Sequence, residues 1–546
     1  VYWDYQHGAA VESDYNGVGQ LVSLTYPFSG KKLQKSYDLQ NRLSKIEFDK
    51  KVIAENQYPE NPTGLIATTT TPAFQRTKRF DKLGRLVEIS YSKSGKILQE
   101  NAEYDNMFNI LKQTTDDALI SLKDSKISSI KGTQTFSYDY SHRLLAISNS
   151  TSKTMTNGPT VQESSGVIQD YDWRGNMTKK QIWANGIQFP AVEYSYDNMN
   201  RNTSIITGNL KTDISFDVMG SVVQKSISKK EDNGEWQNVG SQIFEYDALG
   251  RVIGVKENGR YRQSGNGVSL EVWNLSKEKG SDKITIEGTV RDTSAYMVSL
   301  YKYGHIEIYF GSKSIVQPVS GLYYNRIQFS RTLTVEEFNQ IFGLQITQED
   351  KFSNEETTQM RESMGKIFSG YRVWTNWPYQ TARYYYDSNG RRVAKVIVNM
   401  EEKINDYETI SLNGAYKFAY IGSTIIEEGK PNGKNVEYLY ENEATKELIA
   451  HVSIFGDTYY INGFGGGIKY RAKKDNWIEE AKTDIYGRPS ELQDGLVLWH
   501  GHYYDGESGL YYVGARYYDP STGRFISPDP NGAFYDLTNL GNGYLY

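Results

Sequence analysis

Asp529 stands between Pro528 and Pro530 in the stretch ARYYDPSTGRFISPDP (Ala515–Pro530), thirteen residues after Arg516. Peptide hydrolysis by carboxylates needs two of them sharing a proton: one deprotonates water, the other polarises the scissile carbonyl. A single aspartate cannot do both, so this stretch carries half of such a site. Its local geometry can be read. Pro520–Gly523 (PSTG) has the make-up of a tight turn, Pro early and Gly late. If it closes a four-residue hairpin, Asp519 pairs with Arg524, Arg516 with Ser527 and Asp529 with Gly514. Arg516 and Asp529 are then diagonal neighbours on one face, within reach of a long side chain. A bulge at Gly523 would shift that register by one and part them. The prolines cannot donate to a ladder, so pairing ends at Asp529 and its carboxylate points at something else. On the residues alone, an ordinary ion pair at a sheet edge stands beside the catalytic reading.

Other constellations carry less. His500 and His502 share one face of a strand, with Asp505 as the only nearby third ligand; a solvated strand face is the competing reading. Glu441 with Glu443, and Glu479 with Glu480, have no spacing that marks a glycosidase pair, and exposed strand acids are the default. Phe464–Tyr470 (FGGGIKY) is Gly-rich but lacks the Lys-Ser/Thr of a phosphate loop, so it reads as a bend. No metal or cofactor site is expected.

The elements that must position these groups come from a repeat. An aromatic residue, Asp, two or three residues often including Gly or Asn, then often Arg and an apolar residue recur at Tyr37, Phe80, Tyr104, Tyr138, Tyr171, Tyr196, Phe216, Tyr246 and Tyr386. The spacings are 43, 24, 34, 33, 25, 20, 30 and 140, mostly those of a repeat array. Asp bonds amides two residues on and starts a turn. Gly or Asn takes the position with positive φ. Alternating strands such as Arg85–Ser92 follow. Each unit is strand–turn–strand, and a long strip of such hairpins must curl, close or stack to hide its faces and edges.

Composition agrees. The 546 residues include 44 Tyr, 49 Gly, 13 Pro and no Cys, and only 38% are hydrophobic. An all-β chain with many short strands and a thin, aromatic-stiffened wall fits better than a thick aliphatic core. The net charge of −5 leaves nucleic-acid binding without electrostatic footing. No apolar run is long enough for a transmembrane helix. The absence of cysteine excludes disulfides and fits export without them. The chain opens on VYWDYQHG, with neither start Met nor signal peptide, and reads as a fragment of something longer.

Between about Arg262 and Pro378 the repeat is lost. Strand-like alternation at Val268–Trp273, Lys283–Val290, Met297–Tyr301 and His305–Phe310 precedes two capping boxes, Thr334 with Glu337 and Ser353 with Glu356. Val335, Phe338, Ile341 and Phe342 give one apolar helical face, and Met360, Met364, Ile367 and Phe368 another. This is an α+β module spliced into a strand-to-strand connection, either an elaboration of the wall or a partner-binding or cavity-plugging unit.

The repeating units and the closing segment HGHYYDGESGLYYVGARYYDPSTGRFISPDP (His500–Pro530) resemble the RHS-repeat, or YD-repeat, family and its RHS-associated core. The resemblance covers most of residues 1–260 and 380–490 and the closing segment, but not the insertion. It implies a β-strip wound into a hollow shell, or cocoon: first wall 1–261, inserted module 262–378, second wall 379–497, and an inward-spiralling core 498–546. By the same resemblance, toxin-complex C components and RHS polymorphic toxins enclose a C-terminal toxin and free it by aspartic self-cleavage, whereas teneurin shells serve cell-surface adhesion. Arg516 matches the family's core arginine and Asp529 its first catalytic aspartate; the second is expected in a later DPxG motif, past Tyr546. Cargo would be the chain's own C-terminal toxin, helped by a secretion component or shell-completing partner. The protein would be secreted or at the cell surface, and at most a single-turnover protease. About 430 wall residues at roughly 16 Å² each give on the order of 7,000 Å², enclosing at most about 25,000 Å³.

Overall fold

The computed structural model describes residues 9–60, 64–230, 233–258, 260–263, 268–292, 305–310, 313–318, 321–323, 326–343, 345–374, 379–397, 415–431, 433–464, 467–475, 477–481, 483, 486–489, 497–529 and 544. Among these residues the principal sheet has 30 antiparallel strands, from Glu12–Tyr15 to Ile478–Glu480, most of them paired with their neighbours in sequence. The chain is therefore a strip of hairpins.

The turn at Tyr246 shows how each hairpin is made. Asp247 Oδ1 accepts from the amides of Leu249 and Arg251, both at 2.9 Å. Gly250 takes φ 73°, the left-handed conformation that a residue without Cβ adopts at no steric cost. Arg251 Nε then donates to Asp247 Oδ2 at 2.6 Å. The same set recurs at Asp38, Asp81, Asp139, Asp197 and Asp387. The fold demands the conformation even without glycine: His142 and Phe108 sit there at φ 62° and 70°.

The guanidinium also reaches the next unit. Arg251 lies 4.8 Å over the ring of Tyr386 and donates to the carbonyl of Asp387. Tyr386 Oη returns a bond to the Val252 carbonyl at 2.7 Å. Arg85 with Tyr104 and Arg143 with Tyr171 repeat this rung. The rung at Arg251 crosses the insertion: strand Val252–Asn258 pairs directly with Tyr379–Tyr386.

The inserted module has two four-stranded sheets and its own core, including Ile284, Ile308, Phe329, Phe338 and Tyr371. Strand Arg260–Gln263 already belongs to it, paired with Phe368–Trp374. Both capping boxes are formed. Val335 and Phe338 are buried, as is Met364, but Ile367 is 42% exposed. Phe368 is the C-cap of the second helix and is buried in the module's core. The expected strand Met297–Tyr301 lies outside the described residues.

Strands between Tyr416 and Glu480 are not wall. One set of their side chains, Ile426, Leu439, Ile449, Tyr459, Ile461 and Tyr470, packs on residues 21–120 of the first arm. The alternate set, Phe418, Tyr438, Tyr440, Leu448 and Tyr460, packs on residues of 214–255 and 503–526. They are an inner layer covered on both faces, so an enclosed volume that counts them as wall is too large. The strands Ile127–Tyr138, Leu144–Met155 and Thr160–Tyr171 are the opposite case: most positions on both faces are half-buried or exposed. Here the strip is one layer thick.

Candidate functional site

The closing segment forms a separate five-stranded sheet: Val497–Trp499, His502–Asp505, Leu510–Val513, Arg516–Asp519 and Arg524–Phe525. Its tyrosine doublets split between two faces. Tyr504, Tyr511 and Tyr518 pack with Trp499 and Phe525 on one side, with Trp499 stacked on Tyr518 at 4.9 Å. Tyr503, Tyr512 and Tyr517 enter the core shared with the inner layer and wall. Each YY pair thus glues the sheet on both sides, because successive strand residues point opposite ways.

The turn Pro520–Gly523 closes without a register shift, Asp519 opposite Arg524 and Tyr518 opposite Phe525, but the ladder stops at Phe525, so the expected pairs Arg516–Ser527 and Gly514–Asp529 are not formed. Asp519 Oδ1 accepts from the Ser521 amide at 2.9 Å, and Lys225 Nζ of the wall donates to Oδ2 at 2.7 Å. Burial pushes the Asp519 carboxyl upward, but Lys225 and Ser521 outweigh it and hold it below its ordinary value.

Arg516 and Asp529 meet. Arg516 Nη2 lies 3.1 Å from Asp529 Oδ2, with side-chain exposures of 17% and 33%. The guanidinium lies 3.6 Å over the Phe525 ring, so it is held on one side by an aromatic face and on the other by the carboxylate. Burial lowers Arg516 from its ordinary value, and Asp529 works against that shift. Pro530 to Gly532, the rest of the DPNG stretch, and Tyr546 lie outside the described residues.

The other candidates are engaged elsewhere. Asp505 is wholly buried and bonded to Arg392 and to Lys395, the latter at 3.0 Å, so it does not join the histidines. His502 is buried rather than on a solvated face; burial, then Lys446 and His500, push it down to about 3. Glu441 and Glu443 are not solvated acids either. They tie the inner layer to the first arm through Arg76 at 2.6 Å and Lys35 at 2.7 Å. Burial pushes Glu441 up, yet Arg76 and Lys78 hold it at about 2. Glu479 and Glu480 pair with Arg471 and Lys123. At FGGGIKY the Gly463 amide bonds the Gly467 carbonyl, as in a bend.

What sequence reasoning missed is the charge under this sheet. Arg392 and Lys395 are 0% exposed. Arg392 lies within 6 Å of five rings, those of Tyr384, Phe418, Tyr503, Tyr512 and Tyr517, and Lys395 bridges Asp505 and Glu507. The signal was present. In most units the residue after the turn arginine is apolar and at least half-buried, as Leu43, Leu86, Leu144 and Val252 show. An arginine at that place must bury its charge.

Residues 2–261 match the teneurin YD-shell family. The chain is an RHS/YD-repeat shell protein. Teneurin-1 of Gallus gallus is 22% identical to the shell over 561 residues, 97% of this chain and 17% of that protein. The tRNA3(Ser)-specific nuclease WapA of Bacillus spizizenii is 32% identical over 166 residues, 30% of this chain. That match spans only 7% of WapA, so the shell corresponds to a small part of such relatives. Among solved structures, the TcdB2-TccC3-Cdc42 structure aligns with 98% of the shell and 27% of that chain, at 13% identity and a TM-score of 0.35. Among the described residues no helix is long and apolar enough to cross a membrane.

Proposed function

We propose that this shell encloses a C-terminal effector and separates it from the chain by aspartic self-cleavage. The observation that carries the reading is the Arg516–Asp529 pair, with Asp529 four residues past the last strand, Arg524–Phe525, of a sheet bonded to the wall through Lys225 and Asp519. Arg516 orients the Asp529 carboxylate. That carboxylate takes a proton from water as the oxygen attacks the scissile carbonyl, and a second aspartate from further along the chain donates to the carbonyl oxygen. The C–N bond then breaks and the leaving amine takes up the proton. The turnover is single because the substrate is the chain itself. WapA, a nuclease by name, supports a toxic cargo, and the one-layer strands between Ile127 and Tyr171 offer an inner face to it. Release of such a cargo outside the cell implies secretion or cell-surface display.

Intact mass of the gene's full product tests the cleavage. Wild type should give two fragments and Asp529→Asn one; two fragments from both would remove Asp529 from the mechanism.

A second reading, a cell-surface binding protein that is never cut, is favoured by the turn tips. Leu39, Leu83, Tyr140, Trp173, Val218 and Leu249 are each at least 67% exposed and sit one or two residues after the aspartates of six of the turns. An uncut wild-type chain that still binds cells would select it.

A further inference from the structure

Six of the nine turns carry the rung arginine: Arg42, Arg85, Arg143, Arg201, Arg251 and Arg391. Each lies 4.3–5.6 Å over an aromatic ring further along the strip. Three turns have Asn109, Asn176 or Ser221 instead. At Asn176 the empty place is filled from another sheet. Arg524 of the closing segment stands 4.7 Å over Tyr196, the ring that an arginine at 176 would cover. Its Nη1 donates to the Asn200 carbonyl and its Nη2 to Asn176 Oδ1, both at 2.8 Å. At Ser221 the short side chain leaves room for the same segment. The Val222 amide bonds the Ile526 carbonyl at 2.8 Å, and Tyr544 Oη bonds the Gly220 carbonyl at 2.8 Å. Asn176 and Ser221 are 1% and 4% exposed, whereas the rung arginines at the other turns keep 22–34% of their side chains in water.

We propose that the departures from the repeat at Asn176 and Ser221 are the docking address of the closing segment, and that Arg524, completing the arginine ladder from outside the repeat, is its positioning residue. The physics is exclusive. A ring face and a carbonyl recess of this size hold one guanidinium; a second would be a desolvated like charge a few ångströms away. The wall can therefore carry its own arginine or accept the segment, not both. Arg524 also hands the position on. Phe525, next in the strand, forms the face under Arg516, and Arg516 holds Asp529. The docking stands whether or not the chain cuts itself; only its consequence for Asp529 rests on the cleavage reading.

Hydrogen exchange on the full chain tests this with Arg524→Ala, Arg524→Lys, Asn176→Arg, the double variant Asn176→Arg/Arg524→Ala, and Asn109→Arg as a gap that the segment does not occupy. Arg524→Ala and Asn176→Arg should each speed exchange across 516–526 by about tenfold or more while strands 86–117 stay as in wild type. Arg524→Lys should fall between, since a lysine keeps the charge but not the fork. The double variant should regain protection at 192–207, where the rung is now completed in the wall, but not at 516–526. Asn109→Arg should leave 516–526 protected. An Asn176→Arg protein with an undisturbed closing segment overturns the proposal, as does an Asn109→Arg protein that loosens it equally. Uniform loosening of the whole sheet in Arg524→Ala also overturns it, by making Arg524 a general stabiliser. If Asn176→Arg does not fold, the Arg524 variants and Asn109→Arg still decide. Self-cleavage that slows in Arg524→Ala ties the docking to Asp529; a wild type that is never cut removes the cleavage reading and leaves the exchange result intact.

Discussion

Arg392 of the strip and Asp505 of the closing sheet are bonded to each other with no exposure to solvent. Four aromatic side chains with hydroxyls and one phenyl ring surround the guanidinium. Together with Lys395 and Glu507 the group is charge-balanced, two cations against two anions. A buried pair of this kind is costly to break from one side, because the remaining charge has no water.

Arg392→Met should therefore destabilise the protein by about 3–5 kcal/mol, read as a shift in the urea midpoint, by stranding Asp505. Arg392→Met combined with Asp505→Leu should recover part of that loss. Equal losses in the single and double variants would show that the ion pair is not the seam.

Acid should loosen the closing sheet. His502 is held at about 3, against an ordinary 6.5, first by burial and then by Lys446 and His500. The folded state keeps it neutral, so its contribution is complete above the unfolded value and is lost as pH falls from about 6.5 towards 3. His502→Gln should flatten that part of the melting temperature against pH; an unchanged slope would place the acid sensitivity elsewhere, with half-buried His451, held at about 4, next in line.

Glu427 works with the opposite sign. Burial raises it to about 7, although the amides of Phe28 and Ser29 favour its charged form. Its contribution is full below the unfolded carboxylate range and is lost as pH rises through about 7. Glu427→Gln should remove the decline in stability between roughly pH 4.5 and 7. A decline that persists in the variant would contradict the assignment.

The inserted module should be removable. Asn258 and Tyr379 end neighbouring strands, and the Arg251–Asp387 rung closes across the gap. Replacing residues 259–378 by an Asn-Gly turn should leave a folded shell whose stability changes by less than about 1 kcal/mol. Loss of cooperative unfolding would mean that the module completes the wall.

Much of this was legible because the repeat states its own chemistry. Asp247, Gly250 and Arg251 occupy the places that a turn of this kind requires, and Asp519 pairs with Arg524 as the Pro520–Gly523 turn implies. The inner layer was missed although it had a sign. Its strands, such as Asn435–Asn442 (NVEYLYEN) and Gly456–Asn462 (GDTYYIN), carry adjacent large residues instead of a polar–apolar alternation, as strands covered on both faces do. Glu441 and Glu443 misled because an acid on a strand defaults to solvent, and their partners Arg76 and Lys35 lie more than 360 residues away. The turn set Arg524 opposite Asp519, but its docking on the wall could not be read from local pattern; only the gap at Asn176 marks where its side chain goes.

The most direct measurement is size exclusion of the gene's full product under native conditions, followed by denaturing mass spectrometry of the eluted peak. A shell that cuts its own chain and keeps the cargo inside gives one particle containing two polypeptides. A single uncut mass, or a cut fragment that elutes apart from the shell, contradicts it.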